Sequence, residues 1–417
     1  MANAGLIQEI LFISHRIPFP PDRGDKIRSF HVLKRLARLA PVHVATFADD
    51  DHDLAEEVEL AAVSRSYRLV RRNKSLIVAG MQGLASRKPV SLPAFHDGDL
   101  ADYVAEVCAK RPISTIYVFS GQMGQYVPAD FKGRVIVDFV DVDSAKFDAY
   151  AAKRGGVIGW VEAREGRLLR KEEARLAARA DASLLISAEE AALFRSRLSP
   201  QELAAADVQV LGNGIDSLHF DSSLSSAEAR MTACTGPRMI FTGQMDYAPN
   251  VEAVTRAMDR ILPLVRDELP DATFHVVGRS PGEDLLERHG REGCYVWGRV
   301  NDMRPWLKAA DLALIPLEIA RGVQNKVLEA MSMALPVVLT TGAATGIGGR
   351  DTYHYAVADS DEDIARCVIA LMRDRRGARA MGLNARHFAV ENASWPAALA
   401  PLAELVGVAP RSTSHAA

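Results

Sequence analysis

The chain is predicted to fold as two parallel-sheet α/β domains in tandem, and three observations carry that expectation. Short apolar, β-branched runs alternate with stretches of helical periodicity along nearly the whole length. The alternation lapses once, over the Ser-, Ala-, Thr- and Gly-rich stretch from Ser217 to Gly236, and then restarts. The length of 417 residues also exceeds the size at which a single core stops growing.

In the first half, strands are expected at Glu9–Ser14, Val42–Ala48, Ser66–Val70, Thr115–Ser120, Arg134–Val140, Ala182–Ser187 and Val208–Leu211. Helical patterns over Ile27–Leu39, Leu54–Ser64 and Asp99–Ala109 separate them. A longer one, Gly159–Ala180, mixes Arg, Lys and Glu at helical spacings. That pattern suits a solvated face with i,i+4 ion pairs, or a face that meets a membrane surface or an acceptor. The turn Asn213-Gly214-Ile215-Asp216 opens the connection. Beyond it, strands are expected at Arg238–Thr242, Thr273–Val277, Tyr295–Trp297, Leu312–Ile315, Pro336–Thr340 and Tyr355–Val357. Helices are expected over Val251–Asp267, Met303–Ala309, Lys326–Met333, Glu362–Arg373 and Ala378–Glu391, with a last apolar helix at Pro396–Val406. The expected domains are residues 1–215 and 216–395, followed by a closing helix and frayed tail, 396–417. Two sheets of similar size imply a cleft between them.

Composition narrows the function classes. A net charge of −3 argues against a dedicated nucleic-acid binder. The four cysteines lack CxxC spacing, so neither a zinc site nor a disulfide framework is indicated, and a reducing cytoplasm is the expected compartment. The segment Met1–Glu9 has no basic region followed by an apolar one, and no run reaches the eighteen or so apolar residues of a membrane span. A cytoplasmic protein, peripheral to the inner face of the membrane at most, is expected.

The most informative segment is Arg321-Gly322-Val323-Gln324-Asn325-Lys326-Val327-Leu328-Glu329-Ala330-Met331, which precedes an apolar strand. It reads as a loop, a helix start and a buried strand, the arrangement that builds ligand sites at the carboxyl edge of α/β sheets. Lys326 falls in the first helical turn, where the macrodipole disfavours a cation. A cation there suggests an anion nearby, and the free N–H groups of a helix start would bind a phosphate too. Near the N-terminus, the run from His15 to Lys26 leaves a strand through a proline-stiffened loop. Gly24 there permits close backbone approach, and Arg23, Lys26 and Arg28 place positive charge at another helix start. His15 at the strand end is either a base or a hydrogen-bonded structural residue.

Two further strand exits add neutral and basic donors. Phe241–Asn250 contains Gly243, Gln244 and Asn250, and Val276-Val277-Gly278-Arg279 ends in a side chain suited to bidentate phosphate contact. Together with Lys326 these exits belong to one sheet and should crowd the same edge. Asp141-Val142-Asp143 has the spacing of a pair that chelates a divalent cation, but Asp143-Ser144 also fits a helix N-cap. Thr341–Gly348 matches a TGxxxGxG dinucleotide loop letter for letter. Fewer than about eighty residues follow it, too few for a nucleotide domain of typical size, so it reads as a turn at the sheet edge.

These residues together resemble the GT-B glycosyltransferases, specifically family 4. The likeness runs through the Pro-rich first loop, Leu211-Gly212-Asn213-Gly214-Ile215-Asp216, and Val327-Leu328-Glu329-Ala330-Met331 with Pro336-Val337-Val338. More narrowly, His15–Arg28, Val137–Ser144 and Arg321–Met331 resemble the sugar transferases associated with PEP-CTERM/exosortase (XrtA) exopolysaccharide systems. The resemblance implies two Rossmann-like domains facing a cleft, with a C-terminal helix crossing back to the first. It also implies retaining transfer of a sugar, of hexosyl type, from a nucleotide-diphosphate donor to a glycan or lipid-linked acceptor, without a metal or other cofactor. Glu329 matches the second Glu of the family's ExxxxxxxE motif, which binds the ribose. Arg321 stands where the first, sugar-contacting Glu is expected, with Glu318 as a substitute in a different register. Gln244 and Asn250 replace the family's usual Arg and Lys, leaving Arg279 and Lys326 for the diphosphate. The donor set is therefore Gly24, Lys26, Gly243, Gln244, Asn250, Arg279, Arg321, Gly322, Asn325, Lys326 and Glu329. Asp141, Asp143 and His15 are the catalytic candidates. The rival readings are a nucleotide-sugar epimerase of the same fold, a nucleotide-dependent oxidoreductase, and a non-catalytic nucleotide- or glycan-binding subunit.

Overall fold

The computed structural model describes residues 8–154, 156–318 and 323–407. These divide into two compact units. The first runs to Asn213 and takes in the chain again from Leu399, and the second spans Gly214–Ala398.

The first unit is built on a seven-stranded, wholly parallel sheet. Its strands are β1 (Glu9–Ser14), β2 (Val42–Ala48), β3 (Ser66–Arg71), β4 (Ile113–Phe119), β5 (Arg134–Val140), β6 (Ala182–Leu185) and β7 (Val208–Val210), in the order β3-β2-β1-β4-β5-β6-β7. Strands β1 and β2 are buried along their whole length, as expected of central strands covered on both faces. The order reverses between β1 and β4, so the carboxyl ends of these strands flank a topological switch point.

The second unit holds a six-stranded parallel sheet. It comprises β8 (Arg238–Thr242), β9 (Thr273–Val277), β10 (Cys294–Gly298), β11 (Leu312–Ile315), β12 (Val337–Leu339) and β13 (Ala356–Val357), ordered β10-β9-β8-β11-β12-β13. Here the reversal lies between β8 and β11. Its core draws on both faces, with Phe241, Phe274, Leu312 and Val338 essentially inaccessible. The expected helix 251–267 is realised as one rod, Ala248–Arg256 continuing through a π-helical turn at Ala257–Ile261 into Leu262–Glu268.

The expected closing helix over 396–406 is not continuous. It forms two single turns, Trp395–Ala398 and Leu402–Leu405, separated at Pro401, whose ring cannot continue a helix. The second turn packs on the first unit. Thr115 Oγ1 donates to the Val406 carbonyl at 3.0 Å, and Arg134 Nη1 donates to that of Leu405 at 3.0 Å. The return of the chain to the first domain is thus made by a short turn held through its carbonyls.

Two cation–carboxylate pairs are sealed inside the first unit. Arg28 sends Nε and Nη2 to the two oxygens of Asp138 on β5, at 3.0 and 3.1 Å, and Tyr117 donates its hydroxyl to the same carboxylate at 2.8 Å. The remaining guanidinium nitrogen reaches the Gly212 carbonyl and Asn213 Oδ1, at 3.2 and 2.9 Å. Lys26 Nζ meets Asp53 Oδ1 at 2.5 Å and the Phe19 carbonyl at 2.9 Å.

Candidate active site

At the carboxyl edge of the second sheet, the exits of β8, β9 and β10 and the start of the helix Asn325–Ser332 enclose a cavity of about 670 Å³. Seven of the expected donor residues line it: Gly243, Gln244, Asn250, Arg279, Asn325, Lys326 and Glu329. The strand exits converge here because β8, β9 and β10 are neighbours in a parallel sheet and all end on one side.

The loops are locked together at their closest point. Gly243 N donates to Val277 O at 3.1 Å, Gly278 N to Gly298 O at 2.9 Å and Met245 N to Arg279 O at 2.8 Å. A Cβ on Gly278 would fall 1.6 Å from the Gly243 carbonyl oxygen, a backbone atom with nowhere to go. Gly278→Ala should therefore displace the floor of the cavity and weaken nucleotide binding at least about tenfold, because a small misplacement of binding groups is costly. Titration calorimetry with a nucleoside diphosphate tests this; unchanged affinity would show that the loop apposition is irrelevant to the ligand. The added Cβ at Gly243 would sit 3.0 Å from Asn250 Nδ2 and 3.4 Å from Lys326 Nζ, so glycine here leaves space beside the lysine.

Lys326 is held rather than loose. Its Nζ donates to Asn250 Oδ1 at 2.5 Å and lies 4.6 Å from the centre of the Phe241 ring, while Asn250 Nδ2 is anchored on the Gln244 carbonyl at 2.8 Å. Burial pulls its ammonium down to about 8, opposed by the negative charge of Glu329 one turn along. The same burial pushes Glu329 up to about 7, with Lys326 pulling the other way. Glu329 is largely but not fully buried, and among the described residues no group donates a hydrogen bond to its carboxylate. The helix begins at Asn325 with Gln324 as N-cap and no side-chain cap; Val327 N is taken by the Gln324 carbonyl at 2.9 Å, and among the described residues the N–H groups of Asn325 and Lys326 remain for a ligand. Arg279 extends from the other wall, with Nη2 on Gln244 Oε1 at 2.6 Å.

A polar, cation-bearing cavity against a helix start, with an under-solvated carboxylate one turn deeper, is chemically suited to a molecule carrying phosphate at one end and hydroxyls at the other. Sequence reasoning did not select Tyr247, Arg299, Val300 and Met303, which line the same space. Arg299 and Val300 follow β10 directly. Their position at a strand exit of the same sheet was the available signal.

Other expected site residues lie elsewhere or serve other ends. Arg321 and Gly322 lie outside the described residues. Glu318 does not line the cavity. It is exposed, with Oε1 3.3 Å from Arg260 Nη2. Lys26 is corrected from a donor-binding to a structural residue, because its ammonium is buried on Asp53 and the Phe19 carbonyl and presents no charge outward. Gly24 is the exposed first residue of the helix Gly24–Leu39, and a Cβ there would meet nothing within 4 Å. The fold itself therefore does not require glycine at this position.

The three catalytic candidates belong to the first unit. His15 follows β1, stacked on Phe119 at 6.0 Å, with Nε2 3.3 Å from Asp25 Oδ2. Asp25 also pairs with Arg16, and these partners hold its carboxyl well below the usual range against the opposing effect of burial. Asp141 and Asp143 leave β5 and share one cation, Lys146 Nζ, at 2.9 and 3.2 Å. The N-cap of the helix Asp143–Lys153 is Val142, with no side-chain cap, so the capping role weighed for Asp143 is not realised. Val140, immediately before Asp141, has φ 69, an unusual backbone state for a β-branched residue. Such outliers persist where the surroundings over-determine them, often beside functional groups. The Thr341–Gly348 run forms a short helix, Thr341–Ala344, capped by the Thr340 hydroxyl, and then turns, as expected of an edge loop.

Residues 236–374 match the family model described as glycosyl transferases group 1. This segment contains β8 through β13 and every residue that lines the cavity. No curated protein matches the sequence. Among solved structures, Anabaena HepE in complex with UDP is similar with a TM-score of 0.59 at 15% identity, over 95% of this chain and 99% of that one. Sucrose-phosphate synthase from Thermosynechococcus elongatus gives 0.57 at 15%, over 95% and 98%. A glycosyltransferase from Rickettsia africae gives 0.59 at 12%, over 97% and 100%. At such identities the likeness establishes the fold, which is the GT-B fold with its two parallel-sheet α/β domains.

Proposed function

We propose that the chain is a glycosyltransferase that takes its sugar from a nucleotide-diphosphate donor bound in the cavity at the carboxyl edge of β8–β10. The observation that carries this reading is the pairing of Lys326 and Glu329 on one helix: a braced ammonium at the helix start and, one turn deeper, a carboxylate to which none of the described residues donates a hydrogen bond. A diphosphate on Lys326, Arg279 and the first-turn N–H groups would supply the missing anion. Ribose hydroxyls would supply the missing donors to Glu329. The family match over the same segment supports the assignment, as does the likeness to Anabaena HepE, solved in complex with UDP and with UDP-glucose.

As the sugar departs, charge develops on the leaving diphosphate, and a fixed cation with oriented amides stabilises it without reorganising. We assign transfer with retention, of hexosyl type, needing neither a metal nor another cofactor. The acceptor is a glycan or lipid-linked saccharide in exopolysaccharide assembly. The resemblance of the segments at 15–28, 137–144 and 321–331 to the exosortase-associated transferases supports this finer assignment. Asp141, Asp143 and His15 are its candidates for handling the acceptor.

Incubation with a panel of nucleotide sugars tests the reading. Release of nucleoside diphosphate, slow with donor alone and faster with a saccharide acceptor, is expected. Interconversion of the donor sugar without release would instead identify an epimerase, and no turnover of any donor would favour a binding subunit.

The burial of this pair predicts a pH dependence. Glu329 accepts ribose hydroxyls best when ionised, so nucleoside-diphosphate affinity should rise as pH passes upward through about 7. Lys326 loses its charge above about 8, so affinity should fall again there. Glu329→Gln should remove the acidic limb due to this carboxylate and move the basic one to lower pH, because the charge that holds up the Lys326 ammonium is gone, measured by calorimetry across the neutral range. An unaltered profile in that variant would remove Glu329 from the site.

A further inference from the structure

The helix Leu76–Ala85 has the sequence LIVAGMQGLA, ten residues without a charge, yet it lies at the surface of the first unit. Val78, Met81 and Leu84, at i, i+3 and i+6, are 40%, 59% and 56% exposed. Bases flank the helix on both sides: Arg71 and Arg72, which pair with Asp51 and Asp49, and Lys74 before it, and Arg87 and Lys88, which have no carboxylate partner among the described residues, after it. A second helix, Gly156–Arg179, meets it at its C-terminal end, where Arg164 Nη2 donates to the Gly83 carbonyl at 2.9 Å. One turn before Arg164, this helix exposes Trp160 at 57%, next to exposed Ile158 and Val161. Beyond Arg164, Arg167, Arg170 and Lys171 join Arg87 and Arg197 around a groove of about 610 Å³ whose single acidic lining residue is Glu202. Among the described residues, none of Arg87, Lys88, Arg164, Arg167, Arg170 and Lys171 pairs with a carboxylate. The cations of the 164–171 segment rest on carbonyls or on nothing.

Exposed apolar side chains normally occur singly. A cluster of this size, rimmed by unneutralised bases, marks an interaction surface. Two features choose the partner. The apolar residues are aliphatic with one tryptophan, whose ring suits the boundary between hydrocarbon and water, and the bases without a carboxylate partner, Arg87, Lys88, Arg164, Arg167, Arg170 and Lys171, leave the adjoining surface cationic. A neutral protein partner would not account for the cations, and a soluble polyanion would not account for Met81, Leu84 and Trp160. We infer that the helix Leu76–Ala85 and the adjoining face of Gly156–Arg179 seat the first unit on an anionic lipid bilayer. The apolar side chains enter the interface, and the bases of the groove face the headgroups. No helix among the described residues is long and apolar enough to cross a membrane, so the attachment is to one leaflet. The surface includes no residue of the nucleotide cavity, and the inference stands or falls without the transferase reading.

Flotation of the full chain with vesicles provides the test. Binding is expected to equal mixtures of phosphatidylglycerol and phosphatidylcholine, weakening as salt is raised, with little binding to phosphatidylcholine alone. One basic residue near an anionic surface is worth about a fivefold change in binding, so Arg167→Glu with Lys171→Glu should cost roughly twentyfold or more. Met81→Asp with Leu84→Asp should also abolish flotation, while both double variants keep the thermal midpoint of the parent. A blue shift in tryptophan emission on adding anionic vesicles should vanish in Trp160→Phe. Equal binding to neutral and anionic vesicles would overturn the proposal. Salt-sensitive binding indifferent to the Met81 and Leu84 changes would overturn it in favour of a soluble polyanion. Self-association removed by those changes, with no flotation in the parent, would overturn it in favour of a second copy of the chain.

Discussion

Replacing Lys326 with alanine is expected to weaken nucleoside-diphosphate binding by about a hundredfold while changing the affinity for the matching nucleoside by less than about threefold. A hydrogen bond to a charged group is worth roughly 1.5–3 kcal/mol, and each 1.4 kcal/mol is about tenfold in affinity. The upper part of that range applies because the ammonium is already in place. Asn250 and the Phe241 ring hold it, so little ordering remains to be done when the ligand arrives. Partial burial also weakens screening by solvent. Calorimetry on the pair of ligands separates the outcomes. Equal losses for nucleoside and nucleoside diphosphate would mean that the variant had collapsed the cavity rather than removed a phosphate contact.

Asp138→Asn is expected to destabilise the first unit by about 3–5 kcal/mol, the cost of leaving a buried guanidinium without its counter-charge. Both partners are essentially inaccessible, with side-chain exposures of 1% and 0%, so solvent cannot compensate. Denaturant unfolding should show the loss, and amide exchange should place it in the first sheet, sparing the second. Replacing the whole cluster, Arg28→Met with Asp138→Leu and Tyr117→Phe so that no buried hydroxyl is orphaned, should recover much of the stability, because exchanging a buried pair for apolar groups of similar volume is often neutral. A loss below about 1 kcal/mol in Asp138→Asn would show that Tyr117 and the Val140 amide suffice to support the asparagine.

Periodicity exposed most of the scaffold. Strands such as Glu9–Ser14, Arg134–Val140 and Thr273–Val277 stand at the expected bounds, because buried parallel strands are continuous apolar runs bounded by turns. The cavity was legible for a related reason. Its residues sit at strand exits of one sheet, and parallel topology brings such exits to one edge. Pairing across long separations was not legible. Lys26 finds its carboxylate 27 residues on and Arg28 finds its own 110 residues on, so local charge at a helix start looked like an anion site where the fold had already neutralised it. The helix Leu76–Ala85 went unread because a helix with no polar face has no amphipathic period to detect. Asp143 fits an N-cap by residue type, but it is already the first helical residue and Val142 takes the cap position.

The first sheet ends in β3 on one side and β7 on the other. Strand β3 carries Arg68 and Arg71 within its six residues, and β7 is only three residues long. An unpaired strand is a template for another chain, and cationic or very short edges frustrate that pairing. This sheet therefore guards itself against stacking edge to edge with its neighbours in a crowded cell. Substituting Arg68 and Arg71 by valine would remove the guard at β3 and lower the concentration at which the chain aggregates.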